Sequence, residues 1–252
     1  MATWQDLETE LNIWHQNGDV ATIWWRDDDA GKLTPALVKL IDISNNHNLP
    51  IHLAAIPTAL EESAIEAIKA AQNIWILQHG FSHTDHAPKG EGSWELGDHR
   101  AIETVVDELS SGFAQLKQTF GAKFLPIQVP PWTRISMNVV KHLKSVGFKA
   151  LSLEGKQFES VFANEIQILN PHCDPIKWKQ NAKFKGTERV LSDIVSHLKY
   201  RRADTKVFNE TTGICTHHLD HDADLWAFLD QFAQFIANHR GAQWVCVSKE
   251  LS

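Results

Sequence analysis

Apolar runs of strand length alternate along this chain with longer segments in which apolar residues recur every three or four positions. The runs at 20–25 (VATIWW), 49–56 (LPIHLAAI), 74–78 (IWILQ), 124–129 (FLPIQV), 149–154 (KALSLE), 165–169 (EIQIL), 212–218 (TGICTHH) and 243–248 (QWVCVS) predict strands. Between them the spacing predicts helices over 34–48, 58–72, 99–121, 136–148, 187–203 and 222–241. Thr58 and Glu61 suit a capping box, and Gly121 suits a helix end. An amphipathic helix at about 3–17 precedes the first strand, and the pattern loosens over 155–186 into a polar, Lys-rich loop. Strands alternating with helices predict an α/β fold with a parallel sheet, and seven or eight strands favour barrel-like closure. No repeat or low-complexity segment divides the chain, so residues 1–252 read as one domain.

Composition narrows the classes of function. Net charge is -7, and the densest basic cluster is the short YRRADTK at 200–206, so nothing points to nucleic acid. No apolar run is long enough to span a bilayer. The N-terminal segment has neither the basic start nor the apolar stretch of a signal peptide, so the expectation is a cytoplasmic protein with no membrane partner. Cys173, Cys215 and Cys246 are widely spaced and odd in number, which suits free thiols in a reducing compartment. Fourteen histidines and 10 tryptophans are unusual, and they direct attention to metal ligation and to flat surfaces for a ring-shaped substrate.

In parallel α/β folds, chemistry gathers at the carboxyl ends of strands. Four predicted strands here end in polar clusters: RDDDAG at 26–31, HGFSHTDH at 79–86, PPWTR at 130–134 and THHLDHD at 216–222. Three adjacent carboxylates repel one another, and a divalent cation relieves that cost while leaving a neighbouring aspartate free as a base. A solvated loop with Arg26 as local counter-ion is the plain alternative. His79 and His83 are four apart and can converge on one ion, with His86 three further on. One aspartate and two histidines leave positions for water and substrate, which is a catalytic rather than a structural metal pattern. The Pro130–Pro131 pair stiffens a loop whose next N–H groups, on Trp132 and Thr133, suit an oxyanion. A histidine of THHLDHD suits a general acid, with Asp220 or Asp222 to orient it or to cap the next helix.

These four motifs, in this order, resemble the polysaccharide deacetylase family, the NodB-homology domain of carbohydrate esterases, over roughly residues 20–220. WWRDDDA is similar to its Thr-Phe-Asp-Asp-Gly, HGFSH to His-(Ser/Thr)-x-x-His, VPPW to Arg-Pro-Pro-(Tyr/Trp) and ICTH to Leu-x-His. The resemblance implies a deformed (β/α)7 barrel and one divalent metal, commonly zinc, on Asp29, His79 and His83. It implies Asp28 as general base, His217 as general acid and the Trp132 N–H as oxyanion donor. A water activated by the metal then removes an acetyl or similar acyl group from an amide or ester of a small-molecule or carbohydrate substrate. Arg26, Pro131 and His218 are expected at the substrate. Asp27 and Asp28 form an alternative frame for the two aspartate roles, and one residue of register decides between His217 and His218. Ala30 stands where the family has glycine, and Val129 where it has arginine, with Arg26 and Arg134 as possible replacements. The Asp-x-x-Asp-Trp segment has no clear counterpart beyond NPHCDPIKW at 170–178.

Two other functions compete. A metal-dependent nucleotide-sugar transferase would use the aspartate triplet, but it leaves the histidines idle and lacks a Gly-rich phosphate loop. A non-catalytic carbohydrate-binding relic of the deacetylase fold would explain the missing arginine, but not the retained Asp28.

Overall fold

A computed structural model describes residues 1–154, 162, 165–179 and 181–251. In chain order its elements are α1 (Trp4–Gln16), β1 (Ala21–Ala30), α2 (Pro35–His47), β2 (Ile51–Ala55), α3 (Glu62–Ala70), β3 (Ile74–His79), α4 (Ile102–Phe120), β4 (Phe124–Val129) and α5 (Met137–Val146). There follow β5 (Ala150–Leu151), β6 (Gln167–Ile168), β7 (Ile176–Lys177), β8 (Lys183–Phe184), α6 (Thr187–Ala203), β9 (Thr212–Thr216), α7 (Ala223–Asn238) and β10 (Ala242–Trp244).

The main sheet is parallel throughout. It runs β9-β1-β2-β3-β4-β5-β6, and β10 pairs with the first residues of β1. An isolated parallel bridge between Cys173 and Ile214 ties the chain beyond β6 back to β9, so the sheet curls into a barrel-like shape. Its interior holds Trp24, Ala54, Leu77, Leu125, Ile127, Val129 and Ala150, with Val247 from the C-terminal turn. The larger core lies outside the curl, between sheet and helices, where Leu225, Leu229, Phe232 and Ile236 of α7 are fully buried beside Trp25. Strands buried on both faces explain why the apolar runs are nearly continuous rather than alternating. Among the described residues no helix is long and apolar enough to cross a membrane.

Three expectations about local structure need correcting. β1 does not stop at Trp25 but continues through Arg26, Asp27, Asp28 and Asp29 to Ala30. The run is tolerable inside a sheet because its charges are paired: Arg26 with Asp28, and Asp27 with His218 and Thr216. Thr58 caps no helix, since it sits in a tight turn with its hydroxyl donating to the Phe81 carbonyl, and α3 starts only after Glu61. The polar segment after Asn170 is not all loop, because β7 and β8 form a small antiparallel hairpin. The remainder of the expected loose stretch, residues 155–161, 163–164 and 180, lies outside the described residues.

Candidate active site

The carboxyl ends of β1, β3, β4, β5 and β9 surround a cavity of about 410 Å³. Strand β1 reaches it by breaking its own alternation. Arg26 and Asp28 share the inner face, so a regular strand would turn Asp29 outward, like Asp27. Asp27 pairs with Leu53 and Ala30 with Ala55, so three steps on β1 oppose two on β2, which is a bulge. Asp29 takes a left-handed backbone (φ 68°) at that point and lines the same cavity as Asp28.

Asp29 Oδ1 lies 3.1 Å from His79 Nε2 and 3.3 Å from His83 Nε2. His79 is the last residue of β3, and its Nδ1 donates to the Val129 carbonyl at 2.9 Å. A carbonyl only accepts, so that bond keeps a proton on Nδ1 and turns Nε2 toward Asp29. His83 sits in the following loop with φ 53°, its ring against Trp132 at 4.3 Å. Ligands about 2.1 Å from a tetrahedral ion lie about 3.4 Å apart, so the one oxygen and two nitrogens have the spacing and donor chemistry of a divalent-metal site. Burial raises the Asp29 carboxyl pKa, but the His79 hydrogen bond and the nearby histidines outweigh it and hold the group well below its ordinary value. Burial lowers the pKa of His79, but Asp29 and Asp28 outweigh it and raise it. His83 is lowered, by burial and then by His79.

Asp28 is held apart from this cluster by Arg26. Arg26 Nε stands 2.9 Å from Asp28 Oδ1, and Nη2 stands 3.0 Å from Oδ2. Arg26 is 1 % exposed, and its Nη1 is spent on Ser152 Oγ and the Leu153 carbonyl. It is therefore not among the residues lining the cavity, where it was expected, and its guanidinium faces Asp28 from behind. Arg134 does not share that position, since it bonds the Glu91 carbonyl and lies over Trp94. His217 Nε2 lies 3.9 Å from Asp28 Oδ2, and the ring lines the cavity.

His218, also expected at the substrate, is buried on the other side of β1, with Nδ1 2.5 Å from Asp27 Oδ1. The register alternatives resolve together: Asp27 and His218 face away from the cavity, while Asp28, Asp29 and His217 line it. Pro131 is buried outside the lining residues, and Pro130 takes the wall position instead. Trp132 and Thr133 have φ of 54° and 58°. Thr133 N donates to the Pro130 carbonyl and Arg134 N to that of Pro131, so the Trp132 N–H is used by neither bond. His86 does not join the cluster, and its N–H bonds the Trp94 carbonyl. Asp222 caps α7 through Leu225 N.

The motif reading missed two wall residues, Glu154 and Trp178. Glu154 follows β5, so the strand-end rule was enough to find it. Burial raises its carboxyl pKa against the pull of Arg26. Trp178 closes the NPHCDPIKW segment, whose approximate match to the family's Asp-x-x-Asp-Trp gave the ring no assigned place. Its indole N–H donates to Asp174 at 2.6 Å, and its ring meets His217 at 4.7 Å and 81°. NPHCDPIKW thus packs a buttressed indole on the histidine. A second cluster, His172, His197 and Glu210, has ligand-type atoms within 4.8 Å of one another. There His172 Nδ1 accepts from Gly213 N–H, which leaves the proton on Nε2, and the two rings stack at 3.4 Å, so their lone pairs do not converge on one ion.

No protein-family model and no curated protein matches the chain. Solved structures do. A family 4 carbohydrate esterase from Streptomyces lividans, in complex with acetate, aligns at TM-score 0.57 and 13% identity over 91% of this chain and 94% of that one. A family 4 acetyl xylan esterase from Clostridium thermocellum, in complex with a cobalt ion, aligns at 0.55 and 12% over 90% and 89%. A family 4 pseudoenzyme from Bacillus anthracis aligns at 0.51 and 12% over 84% and 59%. By its curled parallel sheet and covering helices, the chain has the (β/α)7 fold of the NodB-like polysaccharide deacetylases of carbohydrate esterase family 4.

Proposed function

We propose that this protein is a metal-dependent hydrolase that removes an acetyl or similar acyl group from an amide or ester of a carbohydrate-type substrate. One observation carries the reading: Asp29, His79 and His83 converge beside an aspartate, Asp28, whose two oxygens are both engaged by Arg26. Asp29, His79 and His83 would hold the ion, and zinc suits two imidazoles and a carboxylate. Such an ion polarises a carbonyl and lowers the pKa of water.

The chain's own groups supply the rest. Asp28 takes the proton of the attacking water as its oxygen bonds to the acyl carbon, and Arg26 keeps Asp28 aimed. The Trp132 N–H donates to the developing oxyanion. His217 gives a proton to the departing nitrogen or oxygen as its bond to the acyl carbon breaks, releasing the acid and an amine or alcohol. Trp132, 39% exposed, and Trp178, 47% exposed, flank the cavity with faces suited to a sugar ring.

Because the fold is shared with a pseudoenzyme, it does not by itself decide activity. The retained Asp28 and His217 support a working enzyme over a binding relic, and the absence of a Gly-rich phosphate loop speaks against a nucleotide-sugar transferase. The test is metal content by elemental analysis, with acetate release from acetylated sugars measured before and after chelation. One ion per chain, with acetate release lost on chelation and restored by metal, is expected. Metal far below one per chain, unchanged by His79→Ala, would end the proposal.

A further inference from the structure

The stretch between His83 and α4 contains four carboxylates that the chemistry above does not use, and one of them is buried. Glu95 is 1 % exposed. Its Oε1 accepts three consecutive backbone N–H groups, those of Phe81 at 3.1 Å, Ser82 at 2.7 Å and His83 at 3.1 Å. The Ser82 hydroxyl adds a fourth donor at 3.1 Å. Successive amides converging on one point form a nest for an anion, and here the anion is the protein's own side chain. The nest is shaped around the carboxylate: a Cβ on Gly80 (φ +57°) would fall 1.9 Å from Glu95 Oε2.

Glu95 is itself anchored on both sides. Before it, Trp94 N donates to Asp85 Oδ1, and the Trp94 carbonyl accepts His86 N–H. After it, Leu96 pairs with Ile135, and Ser136 N donates to the Leu96 carbonyl. One carboxylate therefore joins the histidine loop to the turn that carries Trp132. The residue it grips last, His83, has the left-handed backbone that a side chain rarely adopts unless its surroundings hold it there.

We infer that Glu95 is a positioning residue for the metal site: it fixes the Phe81–His83 backbone so that the His83 imidazole meets Asp29 and His79 before any ion arrives. This rests on the metal-site reading above. Pre-set ligands lose less freedom on binding, and partners behind a ligand typically tune metal affinity about 10- to 100-fold.

The experiment is calorimetric titration of the metal-free full chain with cobalt(II) alone, for wild type, Glu95→Ala, Glu95→Asp and Glu95→Gln. Amide exchange of Phe81, Ser82 and His83 is followed by NMR without metal. Expected is a loss of about 10- to 100-fold in affinity for Glu95→Ala, faster exchange at the three amides, and rescue by Glu95→Gln, which keeps an acceptor oxygen, to within about threefold of wild type. Should Glu95→Ala not fold, Glu95→Asp, whose shorter arm withdraws the oxygen, carries the same expectation at an unchanged melting temperature. Wild-type affinity in a folded Glu95→Ala or Glu95→Asp protein with deprotected amides would overturn the inference and leave the metal site standing. A wild-type chain that binds no cobalt(II) would overturn the metal reading and the inference with it.

Discussion

Arg26 and Asp28, two residues apart on one strand, meet through a 3.0 Å hydrogen bond from Nη2 and a 2.9 Å ion contact from Nε in a buried setting. A pair held at both oxygens fixes the direction of the carboxylate. Burial lowers the arginine's pKa, but Asp28 outweighs it, so the guanidinium stays charged throughout the accessible range.

Removing the guanidinium leaves an uncompensated carboxylate in the barrel interior. Arg26→Gln is expected to destabilise the fold by about 3–5 kcal/mol, a fall in melting temperature of roughly 6–20 °C for a chain of this size. Adding Asp28→Asn should return much of that loss, because the two changes remove one interaction. Thermal melts of the two single mutants and the double mutant check this, and strictly additive losses would count against a coupled pair.

Asp28→Asn alone separates base from ligand. With Asp29, His79 and His83 intact, metal content should stay at the wild-type level, while kcat for acyl release falls about 100- to 10,000-fold. Loss of the ion together with activity would place Asp28 among the ligands instead.

Protons compete with a metal for imidazole. His79 holds its proton above its ordinary value of 6.5 in the metal-free chain, because Asp29 and Asp28 outweigh burial. An ion must displace that proton, so affinity should rise with pH through the region above 6.5, with proton release on binding. Titration calorimetry in buffers of different ionisation enthalpy reads both. Affinity that does not change between about pH 6 and 8 would contradict the expectation.

The Asp27–His218 pair makes folding stability depend on pH. His218 is raised: burial lowers its pKa, but Asp27 outweighs it. Its contribution is complete below its unfolded value near 6.5 and is lost as pH climbs through the raised native value. Asp27 is depressed: burial raises its pKa, but His218, His221 and Thr216 outweigh it. Its contribution is present above its unfolded value near 3.8 and is lost as pH falls through the native one. The pair therefore stabilises most between these two ordinary values, and His218→Gln should flatten the decline of melting temperature on the alkaline side. A mutant curve parallel to that of wild type would show that other groups set the slope.

Much of the fold was legible because strands buried on both faces leave uninterrupted apolar runs, as at 74–78 and 124–129. The convergence of Asp29, His79 and His83 was legible through the strand-end rule and the motifs around them. Period-2 logic failed inside β1 itself: no rule of alternation puts Asp28 and Asp29 on one side, and the bulge that does so leaves no mark in the residue types. Arg26 was expected at the substrate because the partners that bury it, Ser152 and Leu153, lie more than a hundred positions away.

Trp178 and Glu95 were missed for another reason. Each meets the site through contacts that local pattern does not encode, Trp178 with His217 and Glu95 with the Phe81–His83 amides; Trp178 closes a segment that matches its motif only approximately, and Glu95 lies in none. Thr58 misled in the opposite direction. Its spacing to Glu61 satisfied a local rule, but its hydroxyl is committed to Phe81.

Because Arg26, Asp28 and Asp29 all belong to β1, the proposed base, its guanidinium partner and one proposed ligand travel as a cassette four residues long. A cassette of that kind is portable: transplanted into another parallel barrel two strands from a histidine-bearing one, it brings the partner of Asp28 with it. The same economy makes it brittle, since deleting either residue between Asp27 and Ala30 would restore regular pleating and leave an intact barrel with one β1 carboxylate at the cavity instead of two.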